Sequence, residues 1–102
     1  IIADAADGRL LGAQIVGRSG VDKRIDVLAT ALYNRMAVDD LVHLDLAYAP
    51  PYASARDLVT VAGALGQNFK NGDWRAITPA ALKEKIDSGD DFMLVDTRTT
   101  GE

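Results

Sequence analysis

The chain has 102 residues, 48% of them apolar and 25% charged, which is the composition of one ordinary soluble globular domain. Eleven Lys and Arg against fifteen Asp and Glu leave a net charge of −4, and with no basic run this argues against nucleic acid or an anionic membrane as partner. There is no cysteine, so no disulfide, thiolate nucleophile or thiolate metal site can be built, and no apolar run has the length of a membrane span or the pattern of a leader, which makes the cytoplasm the default location.

In chain order, Ile1 to Ala6 and Leu10 to Val16 are two β-type runs around Asp7-Gly8, a dipeptide that tolerates positive φ and predicts an antiparallel hairpin. Gly12 and Gly17 interrupt the second run and predict a bulge or a close backbone approach. Ser19 or Gly20 then opens a helix with Asp22 in its first turn. Val21, Ile25, Leu28, Leu32 and Met36 form its apolar face, while Asp22, Lys23, Asp26, Thr30 and Asn34 face water. Gly17-Arg18-Ser19-Gly20 lacks the spacing and strand context of a phosphate or dinucleotide loop.

Residues 38–42 read as a short turn into the segment 43–57, which holds two of the three tyrosines, two of the three prolines and the only histidine. The prolines Pro50 and Pro51 restrict their own φ and push Ala49 and Pro50 toward extended geometry, so Tyr48 and Tyr52 are presented at a set spacing. His43 has only Asp39, Asp40 and Asp45 near it in sequence and reads as an exposed or capping residue rather than a metal ligand or a base. Ser54 and Asp57 are candidate caps for a third helix with Leu58, Val61, Ala62, Leu65 and Phe69 as its core face. Gly63 and Gly66 each cost that helix about 1 kcal/mol relative to alanine, so they invite a closely packed partner helix, within the subunit or across a dimer. Asn71-Gly72 stops the helix.

From Trp74 the pattern changes. Residues 74–77 predict a short edge strand, and Thr78-Pro79 starts a helix with Leu82 and Ile86 on one face that Gly89 ends. Residues 92–95 then predict a buried strand, followed by Asp96, Thr97 and Arg98. The expected architecture is α+β: residues 1–72 as a hairpin packed by amphipathic helices, and residues 73–102 as the beginning of a β-α-β unit whose sheet partners lie elsewhere. An opening inside an apolar run and a close just after a strand lead us to expect a piece of a longer protein.

Four stretches carry a resemblance. Gly8-Arg-Leu-Leu-Gly-Ala-Gln-Ile-Val-Gly17, Gly20-Val-Asp-Lys-Arg-Ile-Asp-Val-Leu-Ala-Thr-Ala31, Asp45-Leu-Ala-Tyr-Ala-Pro-Pro-Tyr52 and Ala55-Arg-Asp57 resemble the C-terminal dimerisation domain of the FAD-dependent pyridine nucleotide-disulfide oxidoreductases. The Tyr-Ala-Pro-Pro-Tyr form is similar to the coenzyme A-disulfide reductase branch, which includes coenzyme A-dependent NADH oxidases and polysulfide reductases. The tail, Ile77-Thr-Pro79 with Leu82 and then Phe92-Met-Leu-Val-Asp-Thr-Arg98, resembles the opening of a rhodanese domain.

The resemblance implies a homodimer whose upstream domains bind FAD and NAD(P)H and carry the redox cysteine, with coenzyme A at the reaction centre and a rhodanese domain downstream. Tyr48 is implied to project toward the partner subunit's cysteine and bound coenzyme A. A tyrosine hydroxyl stays protonated at neutral pH and can give a hydrogen bond or proton to a departing thiolate or sulfur oxyanion. Tyr52 is the second candidate, read first as packing or positioning. Ser54, Arg56 and Asp57 could touch nucleotide or the partner chain, though capping and surface charge account for them equally. The flavin fingerprint, the catalytic cysteine and the rhodanese cysteine loop are not in this sequence, so the segment alone is expected to bind no FAD and to be inactive. Two other readings stay open: a purely structural dimerisation module, and part of a rhodanese-type sulfurtransferase.

Overall fold

In the computed structural model, residues 1–97 and Thr99 are described. The hairpin forms from β1 (Ile2–Ala3) and β2 (Leu10–Gly12), antiparallel, with Ile2 opposite Gly12 and Ala3 opposite Leu10. Two residues on β1 therefore face three on β2, and the bulge expected near Gly12 is present at Leu11. The turn is wider than a two-residue Asp-Gly turn. Asp4 N–H donates to Arg9 O at 2.8 Å and Gly8 N–H to Asp4 O at 2.9 Å, and only Gly8, not Asp7, takes positive φ (76°). The carboxylates of Asp4 and Asp7 explain the extra width, since each accepts a backbone N–H two residues on, from Ala6 and Arg9.

Helix α1 (Val21–Tyr33) starts at Gly20 rather than Ser19 and buries Leu28 and Ala31, with its charged face exposed as the periodicity predicts. It closes with a paired turn in which Arg35 N–H donates to Leu32 O and Met36 N–H to Ala31 O, both at 3.0 Å. Arg35 takes φ 56°, the left-handed position where glycine is usual. Met36 thus lies beyond the helix, and the chain turns back along β2. Leu10 N–H donates to Met36 O, Arg9 bridges Ala37, and Val38 N–H donates to Gly8 O.

Residues 38–42, expected as a turn, form the short helix α2 (Val38–Val42), with the Asp40 carboxylate accepting the Ala37 N–H at 2.8 Å. This short element is the centre of the core: Val38 and Leu41 are 1% and 0% exposed, surrounded by Leu10, Leu28, Ala31 and Val59. Helix α3 (Leu58–Asn71) packs on α2, but with a different face from the one the apolar spacing predicts. Val59, Gly63 and Gly66 face the core, while Leu58 is 64% exposed and Leu65 and Phe69 are also exposed. The glycines decide the rotation. A Cβ on Gly63 would lie 2.6 Å from Leu41 Cβ and 3.0 Å from Val38 O, and one on Gly66 would lie 2.7 Å from Val38 Cγ1. Only the bare glycine face lets the two helices meet so closely, so the partner helix that the glycines invite lies within the subunit. Asp39 ties the same pair together, accepting from Gln67 Nε2 at 2.8 Å and pairing with Lys70.

Gly72 ends α3 with φ 73°, as expected. Helix α4 (Pro79–Ser88) begins and ends where its signals place it, with Thr78 Oγ accepting the Ala81 N–H and Gly89 at φ 72°. It buries no residue. The edge strand expected at 74–77 and the buried strand expected at 92–95 do not form among the described residues, because neither has a neighbour to complete a ladder. Trp74 instead packs edge-on against Phe69 with ring centroids 5.0 Å apart, and Phe92 lies under the Lys85 ammonium at 5.7 Å. Arg98 lies outside the described residues.

Candidate functional site

The connection between α2 and α3 carries both candidate tyrosines. It leaves α2 at His43, the helix C-cap, which is exposed. Leu44 and Leu46 then pack on the core while Asp45 and Ala47 point outward, an alternation that holds the first half of the loop to the protein body. At the prolines the chain bends instead of running on extended, and Tyr52 N–H and Ala53 N–H both donate to Ala49 O, at 2.9 and 3.1 Å. Two successive donors on one carbonyl close a single turn. Proline's own φ is compatible with that turn, and the two bonds offset the preference of Pro50 for extended geometry before Pro51.

Tyr48, 53% exposed, forms one wall of a hollow of about 270 Å³. The other walls include Lys23 from α1, Asp57 and Thr60 from the start of α3, and Ser54 from the far side of the loop. Tyr52 lies outside that hollow and is 85% exposed. Neither phenol makes a hydrogen bond or ring contact among the described residues. Ser54 does not cap α3, since its hydroxyl donates to Arg56 O at 2.9 Å; Arg56 is exposed. Asp57 is the cap, accepting the Val59 N–H at 3.0 Å.

Asp57 is also the buried charge of the site, 6% exposed. Arg24 Nε donates to both of its oxygens, at 3.1 and 3.0 Å, and a second guanidinium nitrogen lies 3.0 Å from Oδ2. Burial by itself raises the Asp57 carboxyl, but the hydrogen bonds from Arg24 and the Val59 N–H, with the charges of Arg24 and Lys23, outweigh it and hold the group below its ordinary value. Arg24 also donates to Gly20 O at 3.1 Å, so one side chain joins the start of α1 to the start of α3. Sequence reasoning missed Arg24. Its one signal is a position at the border of the α1 apolar face, where an arginine can lay its stem on the core and reach a capping carboxylate.

At the start of α1 a Cβ on Gly20 would meet the Arg24 guanidinium at 2.5 Å, because that group lies back over Gly20 on its way to Asp57. Among the described residues, no three His, Cys, Asp or Glu side chains converge as metal ligands, and no helix is long and apolar enough to cross a membrane.

Residues 1–59, from the hairpin through this loop to the first turn of α3, match the model of the pyridine nucleotide-disulphide oxidoreductase dimerisation domain. The chain belongs to this family. Coenzyme A disulfide reductase of Staphylococcus aureus strain bovine RF122 / ET3-1 is 47% identical to the dimerisation domain over 60 residues, which is 59% of this chain and 14% of that protein. The protein of the same name from strain JH9 is 45% identical over the same length. The chain therefore spans about a seventh of the curated relatives it matches. Among solved structures, reduced CoADR-RHD of Bacillus anthracis superposes with a TM-score of 0.77 at 39% identity, covering 85% of this chain and 16% of that one. An NAD-dependent persulfide reductase from A. fulgidus superposes with a TM-score of 0.61 at 45% identity, covering 68% of this chain and 13% of that one. The α+β architecture of hairpin and helices is common to the dimerisation domain here and the Bacillus structure.

Proposed function

We propose that this segment belongs to a homodimeric FAD- and NAD(P)H-dependent oxidoreductase that reduces coenzyme A disulfide, a polysulfide or oxygen, and that it supplies Tyr48 to the partner subunit's reaction centre. The observation that carries the reading is the 47% identity to a coenzyme A disulfide reductase over 60 residues, beside a family match over residues 1–59 that takes in the hairpin, α1 and the tyrosine loop. The half-exposed, unengaged phenol of Tyr48 on a braced loop supports it. Tyr48 would donate a hydrogen bond or its proton to the sulfur that leaves as thiolate, and would recover the proton from solvent through the open hollow. Tyr52, further out, would position the partner chain or coenzyme A. FAD and NAD(P)H would be held by domains outside this segment, and the segment alone would be inactive.

The test is Tyr48→Phe in the whole enzyme, which keeps the ring and removes the proton. A fall in kcat of about 100-fold is expected, in line with the usual contribution of a general acid. Unchanged kcat with both NAD(P)H and disulfide would remove Tyr48 from the mechanism and leave a structural dimerisation module. The exposed row of Leu58, Leu65 and Phe69 on α3 favours subunit pairing under either reading.

Residues 73–102 would open a fused rhodanese domain after residues 1–72. Two observations support this: α4 is capped at both ends yet buries nothing, and the Bacillus structure covers 85% of this chain, a larger share than residues 1–72 can supply. A cysteine-bearing loop at rhodanese spacing after Glu102 in the parent sequence would bear this out; its absence would end both the rhodanese assignment and the sulfurtransferase reading. We place the enzyme in the cytoplasm, to be checked by fractionation.

A further inference from the structure

We infer that Arg24 and Asp57 form the positioning device for the Tyr48 loop, an inference that rests on the catalytic reading of Tyr48 given above. Between Ala47 and Asp57 the loop has few bonds of its own: one proline turn closed on Ala49 O, and the Ser54 hydroxyl on Arg56 O. Its course is set by the walls it lies against. Those walls are the first turn of α1, at Lys23, and the first turn of α3, at Asp57 and Thr60, which share the hollow with Tyr48. The two helix starts are joined by the Arg24 guanidinium, which holds Asp57 through both carboxylate oxygens and Gly20 through its carbonyl. With 19% of the Arg24 side chain and 7% of the Asp57 side chain exposed, the pair is poorly screened by solvent. A planar fork on a carboxylate fixes direction as well as distance, which a lysine could not do. Asp57 ends the loop, caps α3 and lines the same hollow as Tyr48, so a displaced carboxylate moves one wall of that hollow. A catalytic group displaced by about 1 Å can lose about 100-fold in rate, so a device of this kind acts on kcat without touching substrate.

The decisive variant is Asp57→Asn in the intact enzyme, because asparagine caps α3 about as well as aspartate and only the charged fork is lost. Two readouts are needed. Hydrogen exchange of the amides of residues 45–56 should speed up by about tenfold or more, with the α3 interior unchanged. kcat should fall by about tenfold or more in the native background and by less than about twofold further when Tyr48→Phe is already present, since the pair acts through that side chain. Arg24→Lys, which keeps the charge and loses the fork, should give the same pattern more weakly and serves if Asp57→Asn fails to fold. Unchanged exchange across 45–56, or equal kcat losses in the two backgrounds, overturns the inference. If Tyr48→Phe alone leaves kcat unchanged, the catalytic reading of Tyr48 falls, and the exchange measurement still decides whether the pair positions the loop.

Discussion

Gly63→Ala separates two opposite expectations for α3. Helix propensity alone makes the change favourable by about 1 kcal/mol, because alanine is the better helix former. The packing says otherwise. The new methyl would sit 2.6 Å from Leu41 Cβ, 3.0 Å from Val38 O and 3.1 Å from Val42 N, and two of these three are backbone atoms of α2 that no rotamer change can move. Helix α2 would have to shift as a body, and it carries Val38 and Leu41, the most buried side chains of the core. Overpacking of this kind costs about 1–3 kcal/mol, and with the propensity gain of about 1 kcal/mol set against it a net loss of up to about 2 kcal/mol is expected. Urea unfolding of the 102-residue chain, followed by far-ultraviolet circular dichroism, measures it. Gly66→Ala is the internal comparison, since its methyl meets only the Val38 side chain, whose single preferred helical rotamer still resists movement. It should lose less than Gly63→Ala. A Gly63→Ala chain more stable than the parent by about 1 kcal/mol would show that α2 does not pack on that face.

Other expected outcomes follow from caps and charges. Because the Asp57 carboxyl lies below its ordinary value of 3.8, its stabilisation is present above that value and is lost as pH falls through the lower folded value; Asp57→Asn should therefore flatten the acid limb of a stability-against-pH curve below about pH 4. Asp39, lowered first by its hydrogen bond from Lys70, keeps part of that limb in the variant. Thr78→Ala removes the α4 cap and should cost about 1 kcal/mol locally, raising amide exchange across 79–88 while leaving the unfolding of the hairpin and α1 to α3 unchanged, since α4 buries nothing. Arg35→Gly relieves a left-handed arginine that costs about 1–2 kcal/mol, offset by about 0.4–1 kcal/mol of added chain entropy in the unfolded state, so the melting temperature should rise slightly.

Signals confined to one or two residues were legible in the sequence. Asp57 and Thr78 as caps, Gly72 and Gly89 as helix ends, and Gly8 in the hairpin turn all stand where their chemistry puts them. What escaped depends on a partner. Helix α2 is too short to show a period, so its two buried residues read as a turn; its identity as core comes from the hairpin and α3 closing around it. The apolar spacing of α3 points to a different face because it finds where large side chains lie, whereas the contact here is made by the absence of side chains. Residues 92–95 have strand composition without a ladder. At the site, Asp57 was visible as a cap and the tyrosines as presented groups, but Arg24 was not, because a guanidinium that crosses between two helix starts leaves no trace in linear spacing.

The outer side of β2 is occupied by residues 36–38, but among the described residues no strand pairs with the outer side of β1, and Ile2 is 66% exposed. An open backbone row beside a greasy side chain is a template for a further strand, and in a concentrated preparation of the isolated segment the nearest supply is another copy of itself. Shelf life and solubility of such a preparation should therefore respond to its first few residues as well as to the exposed α3 row, and a charged replacement such as Ile2→Lys should help keep the material dispersed.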